Sequence, residues 1–236
     1  YKTRQLFNVP AAHEYLETYV PFDISDSIVR EAANQLVVEY PYLTVHGIIG
    51  DFGRHLSRIP AATGPRLVLF LGGTIGNMDP EDRVSFLRQV RELLGADDRL
   101  LIGMDLVKDV GIIEAAYNDS RGVTAAFNRN MLYFLNRTLN ANFQPDAFEH
   151  RSFFNKIESR IEMHLVPQSP QVVNLAGLGM SVTFTREDFL WTESSYKFTE
   201  ETINHMLHDA DLSLKHFYTN QDPDRLFGLA LVQRLG

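Results

Sequence analysis

The chain has 236 residues, and 44% hydrophobic and 22% charged residues are typical of a globular domain rather than a disordered, collagen-like or coiled-coil one. The count of 22 Lys and Arg against 30 Asp and Glu gives a net charge of −8, which argues against nucleic acid and membrane as main partners. The absence of cysteine excludes disulfides, thiolate zinc sites, iron–sulfur clusters and cysteine nucleophiles.

Targeting signals are also missing from the sequence. No apolar run approaches the roughly 20 residues of a membrane span, and the N-terminal residues lack the apolar core of a signal peptide. We therefore expect a cytoplasmic protein, and we expect it to be a monomer.

The first 109 residues alternate apolar runs with helical patterns. Residues 1–16 predict a helix, and four apolar runs predict strands: 19–24, 43–49, 66–71 and 99–106. Residues 28–37 and 84–94 place apolar side chains at helical spacing, after capping segments at Ser25 and Asp79. This alternation is typical of βαβ units, so we predict an α/β, doubly wound fold with a parallel sheet covered on both faces.

The pattern changes between residues 110 and 192. Helical stretches at 115–117 and 123–139 precede alternating segments such as 159–166, which together predict an inserted α+β subdomain. The earlier pattern then returns, with a helix at 200–208 and two strands, 214–219 and 226–233, that we expect to form an antiparallel hairpin. The sequence thus predicts three parts: a core at 1–109, a subdomain at 110–192, and the C-terminal part of the core at 193–236.

Acidic residues end several predicted strands, where an open α/β sheet binds its ligands. Asp23 is placed to accept hydrogen bonds from a ribose diol, since a carboxylate offers two oxygens at the spacing of vicinal hydroxyls, or it caps the following helix. Asp51 and Phe52 suit an adenine, the carboxylate binding the exocyclic amine and the ring stacking on the base, or they are an ordinary loop pair. Asp105 ends a strand in the same way.

The segment 72–77 contains three glycines at a strand end, which permits either close approach to a ligand or a plain tight turn. The sequence has no G-x-G-x-x-G, Walker A or G-x-S-x-G motif, which argues against dinucleotide binding, NTP hydrolysis and an α/β-hydrolase. Its eight histidines show no metal-ligand spacing, and we predict no metal site.

Seven segments in order along the chain resemble the ergothioneine-pathway histidine Nα-methyltransferase family. These are VPFD (20–23), GDF (50–52), LGGTIGN (71–77), DLVKD (105–109), GVTAAFNRN (122–130), FEH (148–150) and RIEM (160–163). The resemblance covers essentially the whole chain. It implies a Rossmann-like class I methyltransferase with an extra substrate-binding domain, which uses S-adenosylmethionine to convert L-histidine to its trimethylated betaine, hercynine.

The resemblance also implies roles for individual residues. The S-adenosylmethionine site would include Gly72 and Lys2, with Asp23 on the ribose and Asp51 and Phe52 at the adenine. Asn77 and Tyr117 would hold the amine or carboxylate of histidine, while Glu193 and Ser195, in the segment TESSYKF (192–198), would bind the imidazole beside Met163. Tyr117 and a bound water are the candidates for the proton acceptor.

One departure from the family pattern concerns the N-terminal side. The glycine-rich loop of the family should lie just before Lys2, and the region that contributes a further substrate tyrosine is absent, so we expect a fragment of a longer enzyme. Two other functions stay open from the sequence. One is methylation of another aromatic amino acid, although Glu193 with Ser195 suits the two ring nitrogens of imidazole better than an indole; the other is a catalytically silent domain.

Overall fold

The computed structural model describes residues 3–10, 12–220, 222 and 226–235, so Lys2 lies outside the described residues. The described residues form eight α-helices: α1 (Arg4–Phe7), α2 (Ala12–Tyr15), α3 (Asp26–Glu39), α4 (Phe52–His55), α5 (Pro80–Leu93), α6 (Val110–Tyr117), α7 (Val123–Leu139) and α8 (Glu200–Asp209). The strands before the inserted region are β1 (Thr18–Tyr19), β2 (Phe22–Asp23), β3 (Thr44–Val45), β4 (Ile48–Ile49), β5 (Leu67–Phe70) and β6 (Arg99–Asp105). The later strands are β7 (Phe148–Asn155), β8 (Arg160–Pro167), β9 (Gln171–Leu175), β10 (Met180–Phe184), β11 (Leu190–Tyr196), β12 (Leu212–Thr219) and β13 (Phe227–Arg234).

The N-terminal elements are shorter than the sequence predicts. Instead of one helix over 1–16 there are two one-turn helices, α1 and α2, on either side of Pro10, which has no N–H to continue a helix. The predicted strand at 19–24 is divided at Pro21 into β1 and β2, which pair in parallel with β3 and β4 respectively. Helix α3 follows the predicted capping segment, and its N-cap is Ser25, whose side chain accepts from the Ile28 N–H.

A four-stranded sheet in the order β12-β13-β6-β5 forms the centre of the fold. Strands β5 and β6 are parallel, whereas β13 is antiparallel to both β6 and β12. The predicted C-terminal hairpin is therefore confirmed, although part of its connection lies outside the described residues. This sheet, with its crossover helix α5, agrees with the predicted α/β class.

One face of the central sheet carries the main core. Helices α5 and α8 pack there, and the buried side chains include Leu100, Ile102 and Met104 of β6. Residues that alternate with these, such as Leu101 of β6 and Leu229 of β13, are only half-buried. In the described part of the chain the second face of this sheet is therefore less buried than the first.

The inserted region forms its own sheet, in the order β11-β8-β7, with all three strands antiparallel. Phe148, Leu165 and Leu132 of α7 are fully buried in one cluster of this region, and Ile113 of α6 packs on Ile161 and Met163 in another. Strand β11 runs across the expected boundary between residues 192 and 193. The division into three parts remains a proposal, and we would place its second boundary after β11.

Candidate functional site

Two of the predicted acidic residues lie at one edge of the fold, where parallel strands end. Asp23 is the last residue of β2 and pairs with Ile49 of β4, and the Gly50 N–H donates to its carbonyl at 2.9 Å. Asp51 follows two residues after β4. The carboxyl ends of these neighbouring strands therefore present both acids at the same edge, as expected for a ligand site in such a sheet.

The two acids differ in whether they cap the helix that follows them. The N-cap of α3 is Ser25 and not Asp23, whose Oδ1 instead accepts from the Ser25 N–H at 2.9 Å. Asp51 is the N-cap of α4 and accepts from the Gly53 N–H at 2.8 Å, so this carboxylate also serves the local fold. Phe52 as a whole residue is 37% exposed.

The predicted glycine segment forms a tight loop after β5. Gly72 and Gly73 have φ values of +94° and +80°, in the left-handed region that favours glycine, and a 3₁₀ turn follows at Thr74–Asn77. Gly76 is close to β11, because a Cβ at this position would lie only 2.8 Å from the Tyr196 carbonyl oxygen. This close approach brings Asn77 beside the inserted sheet.

The five predicted substrate residues converge at this junction. Asn77 Nδ2 donates to Glu193 Oε1 at 3.0 Å, and the Tyr117 hydroxyl donates to Ser195 Oγ at 2.8 Å. Met163 is paired with Glu193 in the β8–β11 register and packs near Tyr117. Side chains two residues apart on a strand share a face, so Glu193 and Ser195 point to the same side as Met163.

Tyr196 fixes the loop after β5 against β11. Its hydroxyl donates to Asp79 Oδ1 at 3.1 Å and accepts from Arg160 at 2.6 Å. Burial raises the pKa of the Tyr196 phenol, which therefore stays protonated and keeps its hydrogen bond to Asp79. Asp79 is the N-cap of α5 without a side-chain capping bond, because its carboxylate binds Tyr196 instead.

Two residues beside this junction, Lys197 and Asp105, have no role predicted from the sequence. Lys197 Nζ lies 2.9 Å from Asp105 Oδ2, 2.9 Å from Ser195 Oγ and 3.0 Å from the Tyr117 hydroxyl. Its side chain is only 1% exposed. The available signals were the acid at the end of β6 and the two-residue spacing of 193, 195 and 197, which places all three side chains on one face of an extended segment.

Two further polar residues hold Tyr117 in place. His150 Nε2 lies 2.9 Å from the Tyr117 carbonyl oxygen, which can only accept, so this nitrogen carries the ring proton. His150 Nδ1 then accepts from Asn128 Nδ2 at 2.9 Å. Asn128 and His150 belong to the segments 122–130 and 148–150, so two distant motifs together hold the backbone of Tyr117.

The described residues form neither a metal site nor a membrane-spanning helix. Among them, no three His, Asp or Glu side chains are grouped to hold a metal ion. None of the helices seen there is both long and apolar enough to cross a membrane.

Comparison with known proteins shows the family to which this chain belongs. The family model for SAM-dependent, histidine-specific methyltransferases matches residues 1–234. The chain belongs to this family. S-adenosylmethionine is therefore its methyl donor.

Two curated relatives and one solved structure illustrate the similarity. Histidine N-alpha-methyltransferases from Mycolicibacterium smegmatis and Mycobacterium tuberculosis are 43% and 39% identical, each over 99% of this chain and 72% of the relative. The crystal structure of an S-adenosylmethionine-dependent methyltransferase from Clostridium acetobutylicum covers 95% of this chain and 78% of its own, with a TM-score of 0.50 and 12% identity. The structural likeness supports the Rossmann-like methyltransferase fold.

Proposed function

We propose that this protein transfers methyl groups from S-adenosylmethionine to the α-amine of L-histidine, giving hercynine for ergothioneine biosynthesis. The observation that carries the proposal is the convergence of Asn77, Tyr117, Glu193 and Ser195 at one junction of a chain from a histidine-specific family. The small-molecule substrate would enter between the inserted sheet and the loop that follows β5.

The described residues fit the methyl donor at the strand ends. Asp23 would accept hydrogen bonds from the ribose hydroxyls, and this residue is exposed at the end of β2. Asp51 and the partly exposed Phe52 would bind the adenine. Gly72, with its φ of +94°, would allow the backbone to approach the ligand closely. Lys2 is assigned to the same site by the family pattern alone.

The substrate side of the site combines polar side chains of β11 with an apolar side chain of β8. Glu193 and Ser195 would bind the two nitrogens of the imidazole, and the buried Met163 would contact the ring. Asn77 and Tyr117 would hold the amine or carboxylate of the amino acid. Asn77 and Gly72 belong to one loop, so a shift of that loop would affect both ligands.

Methyl transfer to the α-amine requires the protein to position the substrate and does not require a nucleophilic side chain. When bound, S-adenosylmethionine supplies an electrophilic methyl carbon on a sulfonium. Asn77 and Tyr117 would hold the amino acid so that the lone pair of its α-amine points at the methyl carbon. Well-oriented reactions of this kind reach effective molarities of about 10⁵ to 10⁸ M. The amine must lose a proton before each transfer, and Tyr117, whose hydroxyl is in the substrate pocket, is our candidate to direct that proton to water.

The test is methylation by the full-length protein, followed by mass spectrometry. With S-adenosylmethionine and an equal mixture of L-histidine, L-tryptophan, L-phenylalanine and L-tyrosine, we expect mass gains of one, two and three methyl groups on histidine. Methylation of another amino acid instead would refute the substrate, and absence of S-adenosylhomocysteine binding in calorimetry would indicate a silent domain.

Two further properties complete the proposal. We propose that the protein is cytoplasmic and monomeric. Cell fractionation and light scattering of the purified protein test these two statements, and recovery of a stable dimer would refute the second.

A further inference from the structure

Lys197 is buried, unlike most lysines. Its side chain is 1% exposed, and its three nearest acceptors are Asp105 Oδ2, Ser195 Oγ and the Tyr117 hydroxyl, at 2.9, 2.9 and 3.0 Å. An ammonium group has three N–H donors and no acceptor. Each N–H of Lys197 is therefore matched by one acceptor, and the group has no remaining donor for a ligand.

The backbone explains why this ammonium group is fixed. Leu106 and Phe198 form a parallel bridge, with the Phe198 N–H donating to the Asp105 carbonyl at 3.0 Å. The end of β6 and the residues after β11 are thus held side by side, which places Lys197 next to the Asp105 carboxylate. Lys108 binds the other oxygen of Asp105 at 2.8 Å, so the carboxylate is held from both sides.

The contacts of Ser195 determine where its own hydrogen points. A hydroxyl group has one donor and two lone pairs. Ser195 Oγ accepts from Lys197 at 2.9 Å and from the Tyr117 hydroxyl at 2.8 Å, which uses both lone pairs. The Tyr117 hydroxyl is the donor in this pair, and its own oxygen accepts from Lys197 at 3.0 Å. The Ser195 hydrogen is therefore the group left to face a ligand.

We propose that Lys197 is a specificity-determining positioning residue, which forces Ser195 to act as a hydrogen-bond donor toward the substrate ring. Glu193, a carboxylate two residues away on the same strand, can only accept. The pocket then requires a ring with one N–H and one bare nitrogen, which is a neutral imidazole in a single tautomer. This inference rests on the proposed function and adds the reason why the pocket selects that ring.

The inference predicts a result that a merely structural lysine would not give. The two pyrrolylalanine isomers each keep a ring N–H but lack the second nitrogen, so the Ser195 hydrogen would find no acceptor in either. An unpaired buried donor weakens binding by about 10- to 100-fold. This affinity difference can be measured by calorimetry on the full-length wild-type protein with S-adenosylhomocysteine present. We expect histidine to bind about 10- to 100-fold more tightly than whichever pyrrolylalanine isomer binds better.

Substitution of Lys197 should then remove the preference itself. In Lys197→Met, Ser195 and Tyr117 are free to turn, and Ser195 can accept from a ring N–H, so we expect the histidine-to-pyrrolylalanine affinity ratio to fall at least about tenfold. If this variant does not fold, Tyr117→Phe offers the same test, because it returns one lone pair to Ser195. Lys108→Met is the matched control, since it also removes a cation from Asp105 but leaves Ser195 and Tyr117 in contact with Lys197. Its ratio should stay within about twofold of the wild type.

The outcomes separate the two proposals. A protein that methylates histidine but does not discriminate against pyrrolylalanine, or a Lys197→Met variant that weakens both ligands in proportion, overturns the inference and leaves the function intact. A wild-type protein that binds neither histidine nor its analogues refutes the proposed function together with this inference.

Discussion

The contact between Gly76 and β11 allows a substitution whose effect can be worked out from the structure. In Gly76→Ala, the new Cβ would lie 2.8 Å from the Tyr196 carbonyl oxygen, whereas ordinary contacts begin at 3.4 Å. The oxygen belongs to the backbone of β11 and cannot rotate away. The loop that carries Asn77 must therefore move away from β11 by about 0.6 Å.

A shift of this size is enough to separate the two sides of the site. The Asn77 Nδ2 to Glu193 Oε1 distance would increase from 3.0 Å to about 3.6 Å, which is no longer a hydrogen bond. Overpacking of a buried glycine lowers the free energy of unfolding by about 1 to 3 kcal/mol. Loss of an amide-to-carboxylate bond lowers kcat/KM for histidine by about tenfold.

Two measurements check this prediction. Urea unfolding gives the free energy of unfolding, and methyl transfer under steady-state conditions gives kcat/KM. Gly64→Ala is the control, because a Cβ at Gly64 meets nothing within 4 Å, and we expect that variant to be as stable and as active as the wild type. Gly76→Ala with unchanged stability and unchanged kcat/KM would show that the loop is not held against β11 as described.

The other predictions concern single side chains. Asp23→Ala should weaken S-adenosylhomocysteine binding in calorimetry by about 1.5 to 3 kcal/mol while histidine affinity stays the same, and an unchanged cofactor affinity would remove Asp23 from the site. Glu193→Ala should lower kcat/KM for histidine by about 10- to 100-fold with cofactor affinity unchanged, and equal loss of both would indicate misfolding instead. Burial raises the pKa of Asp98, but hydrogen bonds from Gly95 and Arg66 outweigh it and leave the pKa below its usual 3.8. Asp98 therefore stabilises the fold at a pH above about 3.8, and this contribution is lost as the pH falls through the lower folded-state pKa. Asp98→Asn should lower the free energy of unfolding at pH 7 by about 1.5 to 3 kcal/mol and should flatten its acid dependence in urea titrations; a parallel curve would contradict this.

Long elements with clear local signals were predictable from the sequence. The predicted helix at 123–139 has the observed bounds of α7, because Gly122 and Asn140 flank a continuous pattern. Strand β6 agrees within one residue of its predicted end, since a long apolar run ends at an acid. The N-terminal strands were predicted too long because hydrophobicity continues through Pro21, where the backbone lacks a donor for strand pairing.

The site was predictable only where its residues are close in the sequence. Glu193 and Ser195 were expected to share a strand face, and the β8–β11 register places them beside Met163 and Ile161. Lys197 was given no role, because a lysine in an extended segment is usually exposed. Its burial depends on Asp105, which belongs to a distant strand that only the tertiary fold brings alongside.

The most direct test of the account is a crystal structure of the full-length protein with S-adenosylhomocysteine and L-histidine. We predict that the two imidazole nitrogens lie within hydrogen-bond distance of the Glu193 carboxylate and Ser195 Oγ, and that Asp23 contacts the ribose. An imidazole bound elsewhere, with water between Glu193 and Ser195, would contradict the proposed substrate site.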